Sequence, residues 1–404
     1  MKKISKNVPL ILLTCIALFA LGQFHRASGS IFSPILIEQL SLSGTAIGVL
    51  TAALFLSNIA AQTPIGAALD RYGPRAMLAG GVIVAAVGTL LFAVAEDYWT
   101  LLVARILIGL GLTSGGPGTF MVIARTFPPQ QFGFINGMMA SFGGIGGLLG
   151  TYPLSLALVS FAWSTVFIFV TLVSLILAAV VILVIEGEPH KTEEEKANAI
   201  KAVTYKELLM MPEMRKVLAL AFVTFAPITT LTGLWGGPYF QQVHMVSTEN
   251  AGALLFLLFG STTVAALIYG FLDRSVRSRK FLITLSVWIS VVCLWAVALL
   301  PHPGLYLAAG LFLVMVFCQN FYIPLMAHLR KIVPASSMGR ASTLLLFVAV
   351  SGIPIMQTLF GAIIDLMLHL NFTKEQAFRA AFAYMGLAIL LSGLVYSRAQ
   401  DANN

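Results

Sequence analysis

The chain has 404 residues, of which 58% are apolar and only 10% charged, against about 25% charged in an ordinary soluble domain. That composition excludes a soluble globular protein, and it equally excludes disordered, collagen-like and disulfide-scaffold chains. The net charge of +8 reads as a nucleic-acid signal only until the charges are located.

Apolar runs of about 20 residues, without the alternation over about 10 that barrel strands show, predict a helical multi-pass membrane protein. Twelve spans are expected, at 10–37, 44–68, 76–94, 98–124, 134–159, 163–185, 217–240, 251–271, 281–300, 305–329, 341–366 and 378–397. Of the 24 Lys and Arg, 20 fall on the side that carries the N-terminus. Two, Lys374 and Arg379, fall on the opposite side, and two, Arg26 and Arg105, lie inside spans. This asymmetry predicts a multi-pass protein of the cell inner membrane with both termini cytoplasmic. The basic balance therefore reports topology, and no nucleic-acid partner is expected. Cys15, Cys293 and Cys318 all sit in apolar spans, which excludes a disulfide framework. Met1 to Leu21 is expected to be kept as part of the first span and not cleaved as a signal peptide.

In the first span, Gln23, Arg26, Ser30 and Ser33 recur at i, i+3, i+7 and i+10, one polar face of a helix. Arg26 lies ~24 Å along that helix at about 1.5 Å per residue. A charge so deep is costly and should face water, protein or ligand. Its planar fork suits a carboxylate or phosphate. It is read as an anion anchor, with a snorkelling or carbonyl-paired structural Arg as the alternative. His25 is either a proton carrier or a neutral, hydrogen-bonded histidine.

Asn58 and Gln62 share a face of the second span. The loop after it reads GAALDRYGPR, from Gly66 to Arg75. Gly66 is expected to permit close helix approach, and Gly73 a tight turn. Arg105 in the fourth span either lines the same cavity as Arg26 or bonds nearby carbonyls. In the fifth span Gly143, Gly146 and Gly150 allow close helix contact. Gly236-Gly237-Pro238, at the end of the seventh span, is a candidate gate hinge or a plain helix terminus.

The only long polar stretch, Glu186 to Lys216, divides the chain six plus six. The expected domains are an N-terminal bundle at 1–186, a cytoplasmic linker at 187–214 and a C-terminal bundle at 215–404. The halves repeat. Asp70-Arg71 recurs as Asp273-Arg274 at an offset of 203, and Arg125, Pro129 and Gly133 recur as Arg330, Pro334 and Gly339 at offsets of 205, 205 and 206. A near-constant offset in two separate loops points to a duplicated six-helix unit. The fold class expected is therefore an all-α membrane protein, with twelve transmembrane helices in two bundles related by a pseudo-repeat.

On these residues the chain resembles the major facilitator superfamily. GAALDRYGPR is similar to that superfamily's signature of Gly, three residues, Asp-Arg, one residue, Gly and a basic end, with Pro74 replacing a basic residue. RILIGLG, Arg105 to Gly111, is similar to its Arg-x-x-x-Gly-x-Gly pattern. FHRASGSIFSPIL, NIAAQTPIGAALDRYGPR and LWGGPYF look like the branch of organophosphate and organic-anion permeases. The resemblance implies a major facilitator fold working by alternating access. It also implies a conformational latch of Gly66, Asp70, Arg71, Gly73 and Arg75, with Asp70 facing the start of the eleventh span. By the repeat, Asp273, with Arg274 beside it, would face the start of the fifth span. Spans one, four, seven and ten line the cavity in that superfamily, which adds Trp235 and Gln319 to the expected solute site of Gln23, Arg26, Ser30, Asn58, Gln62 and Arg105.

All sixteen carboxylates fall in loops or at span ends. Two deep Arg without a deep acid leave positive charge for an anion to match. The expected function is a secondary transporter of a small organic anion, in contact with the solute and the lipid bilayer and acting as a monomer. Two alternatives are a proton-coupled multidrug efflux antiporter and a transporter-like membrane sensor. The drug antiporters of the superfamily carry Gly-x-x-x-Gly-Pro-x-x-Gly-Gly in the fifth span. Here Thr151 stands in the Pro position and Leu154-Ser155 in that of Gly-Gly, which counts against them. No phosphate-binding loop, catalytic constellation or metal-ligand cluster is present in the sequence, so no enzyme activity, cofactor or metal is expected.

Overall fold

The computed structural model describes residues 8–128, 131–186, 205–275, 278–334 and 337–400. Among these residues the chain is helical and has no strand. Among the described residues eleven helices are long and apolar enough to cross a membrane. One of them, Gly44–Ala93, is 50 residues long and contains both the second and the third expected span. It breaks at Gly73, whose φ of 78° and ψ of 167° are non-helical. Pro74 follows, with its missing N–H at a position that has no helical acceptor to serve. Divided at Gly73, that helix brings the spans to the expected twelve.

The chain forms two compact units. One comprises Met1–Leu42 and Ala53–Lys191, the other Ser43–Ala52 and Thr192–Asn404. Residues 187–204 of the expected linker lie outside the described residues, and its remainder holds a short helix, Tyr205–Met210.

In the first unit the first span is two helices, Val8–Ala27 and Gly29–Leu40, meeting at Ser28. Ile11, Cys15 and Leu18 pack against Leu78, Val82, Ile123, Met139 and Val181. The sixth span, Trp163–Val184, shows how a membrane bundle sorts its faces. Phe169, Ile176 and Leu183, seven residues apart, are exposed, while Thr171 and Ser174 are buried. The two hydroxyls donate back to the carbonyls of Phe167 and Val170 at 2.9 and 2.8 Å. Lipid is as apolar as leucine, so the large apolar side chains go outward, and small or self-satisfied polar ones take the helix contacts. The fifth span's Gly146 lies directly against the backbone of Ala20, the close contact expected of its small residues.

In the second unit the ninth span, Arg279–Leu299, packs against the twelfth, Lys374–Ser397. The seventh span is segmented: Pro212–Ala221, Ala226–Thr230, a π-helical turn at Leu231–Trp235, and Gly236–Gln242. The irregular turn therefore lies just before Gly236-Gly237-Pro238 and not at it. Pro238 has no N–H to return to the carbonyl of Leu234, and a wide turn ahead of it absorbs the mismatch.

Candidate functional site

In the first unit the expected polar face of the first span divides at Ser28. Gln23 and Arg26 are half-buried, whereas Ser30 and Ser33 are fully buried. Arg26 Nη1 donates to Gln23 Oε1 at 3.4 Å, a long bond across one helical turn. Among the described residues no carboxylate pairs with Arg26. Its guanidinium is thus held loosely and keeps most of its donors.

His25 points the other way and is buried. Its Nε2 lies 3.4 Å from Thr89 Oγ1. The Thr89 hydroxyl spends its proton on the Ala85 carbonyl at 2.7 Å, so its oxygen accepts and His25 donates from Nε2. Nδ1 has no partner among the described residues, which fits a neutral imidazole.

Arg105 is 1% exposed and takes a different role from Arg26. Its Cζ sits 4.5 Å from the ring centroid of Phe32 and 4.6 Å from that of Phe92. Phe92 in turn packs edge-on to Phe32, Trp163 and Phe167 at 5.1, 5.3 and 4.9 Å. Nε and Nη2 of Arg105 have no hydrogen-bond partner among the described residues. The ring quadrupoles offset the cost of burying the charge, an attraction of about 2 kcal/mol when desolvated. The sequence showed Arg105 but not this aromatic box. Its two rings come from the first and third spans, backed by Trp163 and Phe167 of the sixth, and no local pattern joins them.

The two glycines of RILIGLG have separate contacts. A Cβ on Gly109 would lie 2.1 Å from Ser57 Oγ and 2.2 Å from the Leu54 carbonyl oxygen, both in the second span. One on Gly111 would lie 2.4 Å from the Ala85 nitrogen in the third span. The fourth span is wedged between the two. Asn58 is half-buried and donates from Nδ2 to the Gly109 carbonyl at 3.4 Å. Gln62, one turn further on, is half-buried too.

Of the loop residues, Gly73 makes the expected tight turn. Gly66 does not make the expected close approach, because nothing lies within 4 Å of where its Cβ would stand. Asp70 is half-buried, and Arg71 and Arg75 are exposed, with Arg71 Cζ 5.2 Å from the Tyr72 ring centroid. The side chains of Asp273 and Arg274 lie outside the described residues.

In the second unit Trp235 is 2% exposed. Its indole N–H donates to the Gln357 carbonyl at 3.1 Å, and its ring stacks on Phe360 at 5.5 Å. Gln357 Nε2 donates to the Thr229 carbonyl at 3.1 Å. Gln319 is fully buried, and neither its Oε1 nor its Nε2 has a partner among the described residues. It stands where the tenth span is interrupted, between Leu305–Cys318 and Tyr322–Ile332. An unpaired buried amide is costly and marks a position where a ligand or water is wanted.

The family model of the Major Facilitator Superfamily matches residues 12–354. The chain is 24% identical over 374 residues to the hexuronate transporter of Bacillus subtilis, covering 89% of this chain and 88% of that one. It is 23% identical over 401 residues to the probable L-galactonate transporter of Escherichia coli, covering 93% and 85%. Among solved structures it shares its fold with a bacterial homologue of the human lysosomal transporter Spinster, captured inward-facing and unoccupied. The TM-score is 0.82 at 20% identity, covering 98% and 97% of the two chains. The chain belongs to the major facilitator superfamily. It is a membrane transporter and not an enzyme.

Proposed function

We propose that this transporter carries a sugar acid, or a similarly small hydroxylated organic anion, by alternating access across the cytoplasmic membrane, with both chain termini on the cytoplasmic side. The observation that carries the reading is Arg26: a deep, half-buried guanidinium whose only hydrogen bond among the described residues is a long one to Gln23. A carboxylate takes two parallel N–H bonds from such a fork. The amides of Gln23, Asn58 and Gln62, all in the first unit, serve hydroxyl groups; in the second unit Gln319 is an unpartnered amide among the described residues. Arg105, packed against two rings, is a structural cation in this reading. Two near-full-length relatives, a hexuronate transporter and a probable L-galactonate transporter, favour the same solute class. The sidedness of Lys and Arg supports the orientation.

A panel scored by thermal stabilisation of the purified protein tests the solute class. Ligand at about 100 times its Kd stabilises by about 2.7 kcal/mol. Galacturonate or galactonate should raise the unfolding midpoint and the neutral parent sugars should not. Stabilisation by neutral sugars or by lipophilic cations, with none by sugar acids, overturns the reading.

A further inference from the structure

We propose that a groove on the outer side of the second unit, between the seventh, eleventh and twelfth spans, binds an anionic phospholipid, with an acyl chain in the groove and the phosphodiester on Arg215. The groove follows from how two helices diverge. A Cβ on Gly352 would collide with the Phe222 carbonyl oxygen, so the eleventh and seventh spans touch backbone to backbone there. About one turn earlier on each helix stand Val348 and Ala219, whose side chains are too small to close the widening gap. Ser392 of the twelfth span and Leu209 of the short helix Tyr205–Met210 complete the walls. The space measures about 520 Å³, within the usual range of a small-ligand site. Phe347 and Leu391, each next to a wall residue, are exposed. Large apolar side chains of a membrane bundle go outward to lipid, so the groove opens on the bilayer and not on water.

The polar end of the groove selects the headgroup. The chain breaks at Met211, whose ψ of 120° is extended, and Arg215 reaches back over the break. Its Nη2 donates to the Met210 carbonyl at 3.0 Å. That bond holds the guanidinium at the groove it lines and leaves its other N–H groups for an acceptor. Arg215 is exposed, and no carboxylate pairs with it among the described residues. A phosphodiester takes two parallel bonds from such a fork. The neighbouring carboxylate does not compete. Glu213 is held by the Lys216 ammonium at 2.6 Å and by the Gln400 N–H at 3.0 Å. The same ammonium bonds the Arg398 carbonyl at 2.8 Å, which brings the end of the twelfth span beside the start of the seventh. Lys206 and Arg398 are both exposed and add positive potential at this end. Such a field attracts an anionic headgroup, whereas a zwitterionic one carries a cation that it repels. A free phosphate would gain nothing from the apolar walls, and so the ligand chemistry that uses both features is a lipid.

The test uses the full chain, stripped of native lipid in detergent and mixed with phosphatidylglycerol or with phosphatidylcholine of the same acyl chains. Native mass spectrometry reads the lipid-bound fraction. Phosphatidylglycerol should bind about tenfold more tightly, the effect of one charge-assisted bond. Arg215→Gln should erase that preference and Arg215→Lys should keep part of it. Arg330→Gln removes an exposed cation of the tenth span outside the groove and should change nothing. Equal binding of the two lipids by the unaltered chain, or an equal loss in Arg330→Gln and Arg215→Gln, overturns the proposal. Ala219→Phe fills the groove without altering a charge, and should weaken phosphatidylglycerol binding at least about tenfold. Should it fold poorly, Val348→Phe fills the groove from the opposite wall. Binding that survives in a folded, filled variant overturns the proposal. Glycerol 3-phosphate in excess should not displace the lipid; displacement would make Arg215 a site for free phosphate and overturn the lipid assignment. No readout needs the solute, so the lipid site stands or falls apart from the sugar-acid reading.

Discussion

The guanidinium carbon of Arg105 lies 4.5 Å from the ring centroid of Phe32, and a second ring, Phe92, edge-on to the first, lies 4.6 Å from it. This arrangement needs a flat cation. Lysine keeps the charge but concentrates it on a strongly hydrated ammonium, whereas methionine keeps the apolar stem and removes the charge. Arg105→Lys should therefore lower the unfolding midpoint more than Arg105→Met, because replacing a buried charge by an apolar group of similar volume is often neutral. Differential scanning fluorimetry in detergent checks the order. Equal or greater stability of Arg105→Lys would show that stacking contributes nothing.

Arg26 should behave in the opposite way, because its guanidinium is half-buried and loosely held. Arg26→Ala should leave folding and membrane insertion intact, since it removes a buried charge. It should weaken sugar-acid binding by ~1.5–3 kcal/mol, about 10- to 150-fold. Arg26→Lys should fall between the two, having lost the bidentate fork. Binding measured per folded molecule by calorimetry decides it. Normal affinity in Arg26→Ala would make Arg26 structural.

The glycines of the second and fourth spans separate tight contact from open space. Gly109→Ala drives a methyl group into the Leu54 carbonyl and Ser57, and overpacking of this kind costs about 1–3 kcal/mol. Gly66→Ala meets nothing and gains helix propensity, about 1 kcal/mol in favour. The yield of monodisperse protein on size exclusion should fall for the first and hold or rise for the second.

Asp97, in the loop ahead of the fourth span, caps that helix. Its Oδ1 accepts from the N–H groups of Trp99 and Thr100 at 2.8 and 3.0 Å, and its Oδ2 from the Thr100 hydroxyl at 2.5 Å. The Thr100 hydroxyl foremost, then the Thr100 N–H, hold its carboxyl below the usual carboxylate value, against slight desolvation and with a further contribution from the Trp99 N–H. A lowered folded-state pKa contributes stability that is present above the unfolded pKa and is lost as pH falls through the folded one. The midpoint gap between wild type and Asp97→Ala should be full at neutral pH and narrow below about pH 4. A gap that is constant with pH would show that the charge is irrelevant to the cap.

Orientation is tested by labelling in intact cells. Glu96 and Lys206 are both exposed. Glu96→Cys should react with a membrane-impermeant maleimide, and Lys206→Cys only after the cells are opened. The reverse pattern would invert the topology.

The sequence alone determined the spans, the break at Gly73 and the grouping of helices into a twelve-span transporter, because each rests on local chemistry: runs of apolar residues long enough to cross lipid, and a glycine where the backbone needs a positive φ. It also exposed the glycines of RILIGLG, though not that Gly109 and Gly111 serve two different neighbours. It ranked Arg26 and Arg105 together, since both are cations inside apolar runs. Only the tertiary structure parted them. Phe32 and Phe92 are ordinary apolar residues in two spans, and they flank a cation only when the spans pack. Asp365 was likewise one carboxylate among several at span ends. In the structure it accepts hydrogen bonds from the first turn of a helix some 320 residues away, and a contact that distant is set by packing, which no periodicity along the chain records.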